Sequence, residues 1–147
     1  MLLRGCLVIL LLGVQFAFGQ QKPNPDWVNQ KFSMFIHWGL YSELGGVWKG
    51  QPVRAGYSEQ IQSFAKIPKV EYEAVAKVFD PEKWNADSVV ALEKAAGMKY
   101  IVFTSKHHDG FCMYHSKYTK YNVVDATPFK RDVMKELSDA CRRQGVK

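Results

Sequence analysis

Tyr100-Ile101-Val102-Phe103-Thr104-Ser105-Lys106-His107-His108-Asp109-Gly110-Phe111 sets an apolar run directly against a cluster of imidazoles, a cation, a carboxylate and a glycine. The run predicts a buried β-strand over residues 100–105 that delivers the polar cluster to its own C-terminal end. In parallel α/β architectures that end is where sites are assembled, because strand tips and the loops after them share one mouth. The same grammar occurs earlier, where Phe32-Ser33-Met34-Phe35-Ile36 runs into His37-Trp38-Gly39. Two strand tips carrying histidine beside aromatics predict a single pocket fed from both.

The segments around these two blocks alternate between strand and helix. A short amphipathic piece over 26–31 leads into the first strand, 32–37, and a glycine-rich stretch over 45–56 reads as a long loop leaving its tip. Val70, Ala74, Val75 and Val78 stand at helical spacing before the stop Asp80-Pro81. A second helix takes Asp87 as its cap, Val89, Leu92 and Ala96 as its apolar face and Gly97 as its stop. A third, over 130–144, aligns Val133, Met134, Leu137, Ala140 and Cys141 and ends at Gly145, after which Val146-Lys147 opens a further strand. This alternation predicts a parallel α/β fold. Two residues of a new strand would make an unpaired edge, so a longer chain is expected to continue the pattern.

Residues 1–19 carry one cation, Arg4, an apolar run over 6–18 and the ending Ala17-Phe18-Gly19, which together predict a secretory signal peptide. The run is shorter than the roughly 20 residues a membrane span needs. The mature chain, starting near Gln20, is expected to be exported to a periplasm, the extracellular space or a lysosome, free of the membrane once the leader is cleaved. Cys112 and Cys141 remain, and both a disulfide and two separate buried thiols are open readings. The formal charge of +6 is spread among Asp and Glu, and Phe129-Lys130-Arg131 and Cys141-Arg142-Arg143 are too short for a nucleic-acid stripe. Aromatic residues reach 14%, which in an exported chain points to carbohydrate or a large core.

Three blocks then carry a family resemblance. Phe35-Ile36-His37-Trp38-Gly39, then Phe79-Asp80-Pro81-Glu82-Lys83-Trp84 leading to Ala96-Gly97-Met98-Lys99-Tyr100, and finally Lys106-His107-His108-Asp109-Gly110-Phe111 resemble, in order and spacing, the N-terminal catalytic-domain pattern of the α-L-fucosidases of glycoside hydrolase family 29. The match runs over about residues 27–147. It implies a (β/α)8 TIM barrel, represented incompletely by its first two βα units and the start of the third strand. Residues 1–19 would then be the leader and 20–147 the N-terminal portion of the catalytic barrel.

The resemblance also implies a retaining glycoside hydrolase that removes terminal α-linked L-fucose from fucosylated glycans. Retention calls for two carboxyl groups about 5 to 5.5 Å apart. In the family these come from later strands, so no catalytic residue is assigned within this chain. Hydrolysis needs no cofactor, and none is expected.

By the same resemblance His37, His107 and His108 hydrogen-bond the sugar hydroxyls; a neutral imidazole offers one donor and one acceptor and suits that task. Many family members carry a Glu-Trp pair in the loop after the first strand. This chain has Tyr57-Ser58-Glu59-Gln60 there, which keeps Glu59 as a substrate-binding candidate and replaces the tryptophan by Gln60. That departure implies an altered apolar contact and a different leaving-group preference. Tyr114 likewise stands where tryptophan is usual.

Trp38, Trp48 and Phe111 are candidates for stacking on the sugar, whereas Trp84 reads as core and His115 as surface. His107 and His108 point to opposite faces if strand geometry persists, so that one faces the pocket and the other supports it. Lys106 and Asp109 are expected to pair and orient the loop. Adjacent histidines project apart and the His-x3-His spacing of zinc helices is absent, so no metal is expected. The competing function is a non-catalytic carbohydrate-binding or remnant barrel protein.

Overall fold

The computed structural model describes residues 24–147, and the predicted leader lies outside them. In chain order the elements are α1 (Pro25–Asn29), β1 (Met34–Ile36), α2 (Leu40–Leu44), the strands β2 (Val47–Trp48) and β3 (Gln51–Pro52), and a 3-10 turn, Ser58–Gln60. There follow α3 (Ile61–Phe64), α4 (Lys69–Glu73) running into a 3-10 turn at Ala74–Lys77, α5 (Ala86–Ala95), β4 (Ile101–Phe103) and α6 (Val133–Gln144). The predicted loop over 45–56 thus contains a small antiparallel hairpin, with Val47 opposite Pro52 and Trp48 opposite Gln51.

β1 and β4 pair in parallel, Met34 with Ile101, Phe35 with Val102 and Ile36 with Phe103. A parallel pair needs a crossover, here the segment containing α5. On one face Ile101 and Phe103 pack on the α5–α6 cluster of Ala86, Val90, Leu137 and Ala140. On the other, Phe35 is 62% exposed. The strands are therefore half-buried rather than fully buried as the apolar run predicts, because helices cover only one face among the described residues. The Lys147 carbonyl accepts from the Ile101 N–H at 2.9 Å, so the last residue already lies along the free edge of β4.

Helix boundaries follow local chemistry. Asn85, not Asp87, caps α5: its side chain accepts from the Ser88 N–H at 2.9 Å, a contact of the kind that contributes about 1 kcal/mol. Asp87 instead accepts from Arg143 Nη2 on both carboxylate oxygens, at 2.9 and 2.8 Å, which holds its carboxyl below the usual range. The buried face of α5 is Ala86, Val90 and Glu93, while Leu92 is exposed. Dense apolar spacing there was compatible with two neighbouring faces, and docking on α6 selects one.

The segment over 70–79 shows the same rotation. Tyr72, Val75, Ala76 and Phe79 are buried, and Val70 and Val78 face outward. Two large aromatics outweigh two valines in buried area, and tightening into a 3-10 turn at Ala74 completes the turn of the face. In α6 the predicted face holds, with Val133, Leu137 and Ala140 buried. Asp132 caps its start through the Lys135 N–H at 2.9 Å, and Gly145 ends it at a positive φ of 71°, a conformation that suits glycine. Among the described residues no helix is long and apolar enough to cross a membrane.

Thr104 ties the two strand tips together. Its Oγ1 donates to the Ile36 carbonyl at 3.3 Å, receives the Trp38 N–H at 3.3 Å and lies 3.2 Å from the Tyr41 hydroxyl. Its own N–H continues the ladder to the Ile36 carbonyl at 3.1 Å. Replacing Thr104 with valine keeps the β-branch and the backbone bond to Ile36 but removes the hydroxyl, taking its partner from the Trp38 N–H and the Tyr41 hydroxyl. The expected loss is about 1–3 kcal/mol, measured by denaturant unfolding; an unchanged midpoint would show that the tips are held without this side chain.

Candidate functional site

The tie between strand tips sets two histidines side by side. His37 follows β1 directly and His107 lies four residues beyond β4, with their ring centres 5.3 Å apart at a steep angle. The Asp109-Gly110 turn brings His107 round: the Gly110 N–H donates to the His107 carbonyl at 3.0 Å, and Asp109 Oδ1 accepts the Phe111 N–H at 3.0 Å. From the opposite side, the 3-10 turn Ser58–Gln60 supplies Glu59, half-buried at mid-turn. One ligand atom each of His37, Glu59 and His107 lies within 4.8 Å of the other two. The Tyr41 ring stands 5.3 Å from that of His107 and edge-on to it.

His108 takes a different position. Its ring is perpendicular to that of His107 at 4.5 Å, and its Nε2 lies 3.2 Å from the side-chain Nε2 of Gln60. The strand geometry does not persist to these residues: β4 ends at Phe103 and the two rings touch in the loop after it, so they do not alternate across a sheet; His107 joins the cluster while His108 is exposed and linked to the neighbouring turn.

The electrostatics favour a neutral imidazole at His107. Burial, then the neighbouring His108 and His37, push the His107 imidazole below its ordinary 6.5. Its Nδ1 is buried without a hydrogen-bond partner. Burial likewise raises the Tyr41 phenol, and Tyr72 is pushed far upward by burial and by Asp109. Both hydroxyls therefore stay protonated, and able to donate, through the neutral range. Two imidazoles and a carboxylate converging on one space suit either a ligand bearing adjacent hydroxyls or a divalent cation.

Other expectations resolve differently. Trp38 is half-buried and its ring packs on Trp84 at 4.8 Å, Phe79 at 5.8 Å and Phe103 at 6.2 Å, all within the main core, so its geometry is that of packing rather than of the histidine cluster. Phe111 is 2% exposed, edge-on to Phe79 and Tyr121, which removes it as a sugar platform. Trp48 is half-buried and packs against the same core. Trp84 belongs to that core, as predicted, and donates its indole N–H to Glu136 at 3.0 Å. The expected Lys106–Asp109 pair does not form; Asp109 Oδ2 instead accepts the Tyr72 hydroxyl at 2.9 Å, because the loop turns the carboxylate inward over α4. His115 is exposed, 3.5 Å from Asp125. Cys112 and Cys141 are free thiols.

Sequence reasoning missed Thr104, Tyr41, Tyr72 and the contact of Gln60. A hydroxyl residue immediately after a strand and before a histidine block was a usable signal for Thr104. The Tyr72–Asp109 contact spans separate elements and had no local mark.

Comparison with known proteins gives this geometry a family. The pattern described as Alpha-L-fucosidase matches residues 15–147. The plasma alpha-L-fucosidase of Homo sapiens is 37% identical over 127 residues, covering 82% of this chain and 27% of that protein. Among solved structures, alpha-L-fucosidase AlfC from Lactobacillus casei in complex with alpha-L-fucose product aligns at a TM-score of 0.78 and 51% identity, over 81% of this chain and 37% of that one. A trapped covalent intermediate of a GH29 alpha-L-fucosidase from Bacteroides thetaiotaomicron aligns at 0.79 and 40% identity, over 82% and 27%. The chain therefore spans between 27% and 37% of the length of these relatives. Its matched residues include both strand tips and the turn between them, and the chain belongs to the alpha-L-fucosidase family.

Proposed function

We propose that this chain supplies the sugar-holding half of an exported, retaining glycosidase that removes terminal α-linked L-fucose from glycans. The observation that carries the proposal is the convergence of His37, Glu59 and His107 at the tips of two parallel strands in a member of this family. In this reading one imidazole nitrogen each of His37 and His107 and a Glu59 oxygen meet adjacent hydroxyls of the fucose ring. His108 holds the outer side of the same sugar, and Trp38 acts behind the pocket by fixing the backbone on which His37 sits.

The bare apolar face bearing Phe35 supports a (β/α)8 barrel in which further strands close over it. Residues 20–147 are its opening units, and residues 1–19 direct export. The nucleophile and acid/base are carboxylates contributed by later strands, placed about 5 to 5.5 Å apart across the anomeric carbon. This division suits the trapped covalent intermediate of the Bacteroides relative. Binding energy gathered by the histidines and Glu59 lowers the barrier only to the extent that it strengthens as the ring flattens toward an oxocarbenium ion. Hydrogen bonds from a neutral, partly desolvated imidazole meet that condition, since charge develops against a preorganised dipole.

Two measurements test the proposal. Replacing His37 with alanine in the intact enzyme should lower kcat/KM on an aryl α-L-fucoside by about 30–160-fold, the effect of losing a hydrogen bond worth about 2–3 kcal/mol in the transition state; unchanged kcat/KM would remove His37 from the site.

The second is an NMR titration of the His107 imidazole, which should have a midpoint below 6.5. A folded value below the unfolded one means that the unfolded state takes up the proton first. His107 therefore lowers stability as pH falls through 6.5 and has no such effect above it. Saturating L-fucose should depress the midpoint further, because the sugar binds the neutral ring. A midpoint above 6.5, or one raised by fucose, would contradict the neutral-imidazole role.

A further inference from the structure

Gln60 stands at the end of the same turn that presents Glu59, with its own N–H bonded to the Tyr57 carbonyl at 2.9 Å. Its half-buried side chain reaches His108, placing amide Nε2 at 3.2 Å from imidazole Nε2. An amide NH2 has two hydrogens to give and no lone pair to offer, so in this contact the imidazole nitrogen is the acceptor. A neutral imidazole that accepts at Nε2 carries its proton on Nδ1. The bond made at one ring nitrogen determines which tautomer the other displays.

We propose that Gln60 is a positioning residue that locks His108 in the Nδ1–H tautomer and so fixes the polarity with which His108 meets its ligand. Glu59 enters the cluster and Gln60 aligns the second histidine from consecutive positions of one 3-10 turn, so a single short element sets both. His108 then offers Nδ1–H as a donor, and a ligand group facing that nitrogen must accept. The tautomer claim rests on the contact itself; its consequence for fucose rests on the function proposed above.

The test uses selectively 15N-histidine-labelled protein at about pH 8, above the ordinary imidazole range, where the 15N shifts of each ring separate a protonated from a bare nitrogen. In the parent protein His108 should show Nδ1 protonated and Nε2 bare. Gln60→Glu offers an acceptor in place of the donor and should reverse the pattern to Nε2–H. Gln60→Met removes the bond and should give a mixture of the two, and it serves on its own if the glutamate variant does not fold. The same His108 pattern in parent and variants would overturn the proposal, as would Nε2–H in the parent.

Kinetics on an aryl α-L-fucoside separate this inference from the reading beneath it. Both variants should raise KM about tenfold with a smaller change in kcat, because the tautomer governs how the sugar is held. If the tautomer responds but neither these variants nor His37→Ala alter kcat/KM, the Gln60 assignment stands and the fucosidase reading falls. If His37→Ala impairs the enzyme and the tautomer does not respond, the Gln60 assignment falls alone.

Discussion

The parallel pairing of Met34–Ile36 with Ile101–Phe103, pinned at its end by the Thr104 hydroxyl, is the constraint on which the candidate site depends. A parallel ladder places both C-terminal ends at the same level. With Ile36 opposite Phe103, the residues just beyond them leave the sheet together. One hydroxyl bonded to the carbonyl of one tip, the amide after it and the Tyr41 phenol prevents the tips from splaying. A slip of one residue would turn His37 to the other face and dissolve the cluster.

Around that pin the surrounding structure divides its tasks. The main core of Leu40, Ile61, Tyr72, Phe79 and Phe111 holds the segment between the strands. That segment carries the 3-10 turn bearing Glu59, so apolar packing brings a carboxylate to two histidines that are more than twenty residues from it on one side and more than forty on the other. Asp109, held by the Tyr72 hydroxyl, ties the histidine loop to the same core. Polar groups that chemistry would use are thus oriented by groups it does not touch, as preorganised sites require.

Much of the scaffold was legible along the chain. Both strands, their polar tips, the helix over 133–144 and its glycine stop carry local signals, since β-branched and aromatic runs, helical periodicity and a terminal glycine each act over a few residues. The family was legible because its three blocks combine such signals with order and distance. Helix faces were less so. In the segments over 70–79 and 86–95 small and branched apolar residues occupy neighbouring stripes, and only docking against other elements selects Val90 over Leu92 or Phe79 over Val78.

Aromatic roles were the least legible. Trp38, Trp48 and Phe111 have the composition of a sugar platform and the geometry of a core, because a large ring next to a strand tip gains more from burial than from waiting at a mouth. The histidines and Glu59 resisted that pull because they are costly to bury without partners. Gln60 gave no sign of its contact, since nothing in a single sequence links it to a histidine forty-eight residues away.

The most direct test of the account is a crystal structure of the intact protein with L-fucose bound. The account predicts the sugar between the two strand tips, with its hydroxyls within hydrogen-bonding distance of His37, Glu59 and His107. Fucose bound elsewhere, or a divalent cation held by those three side chains in its place, would contradict it.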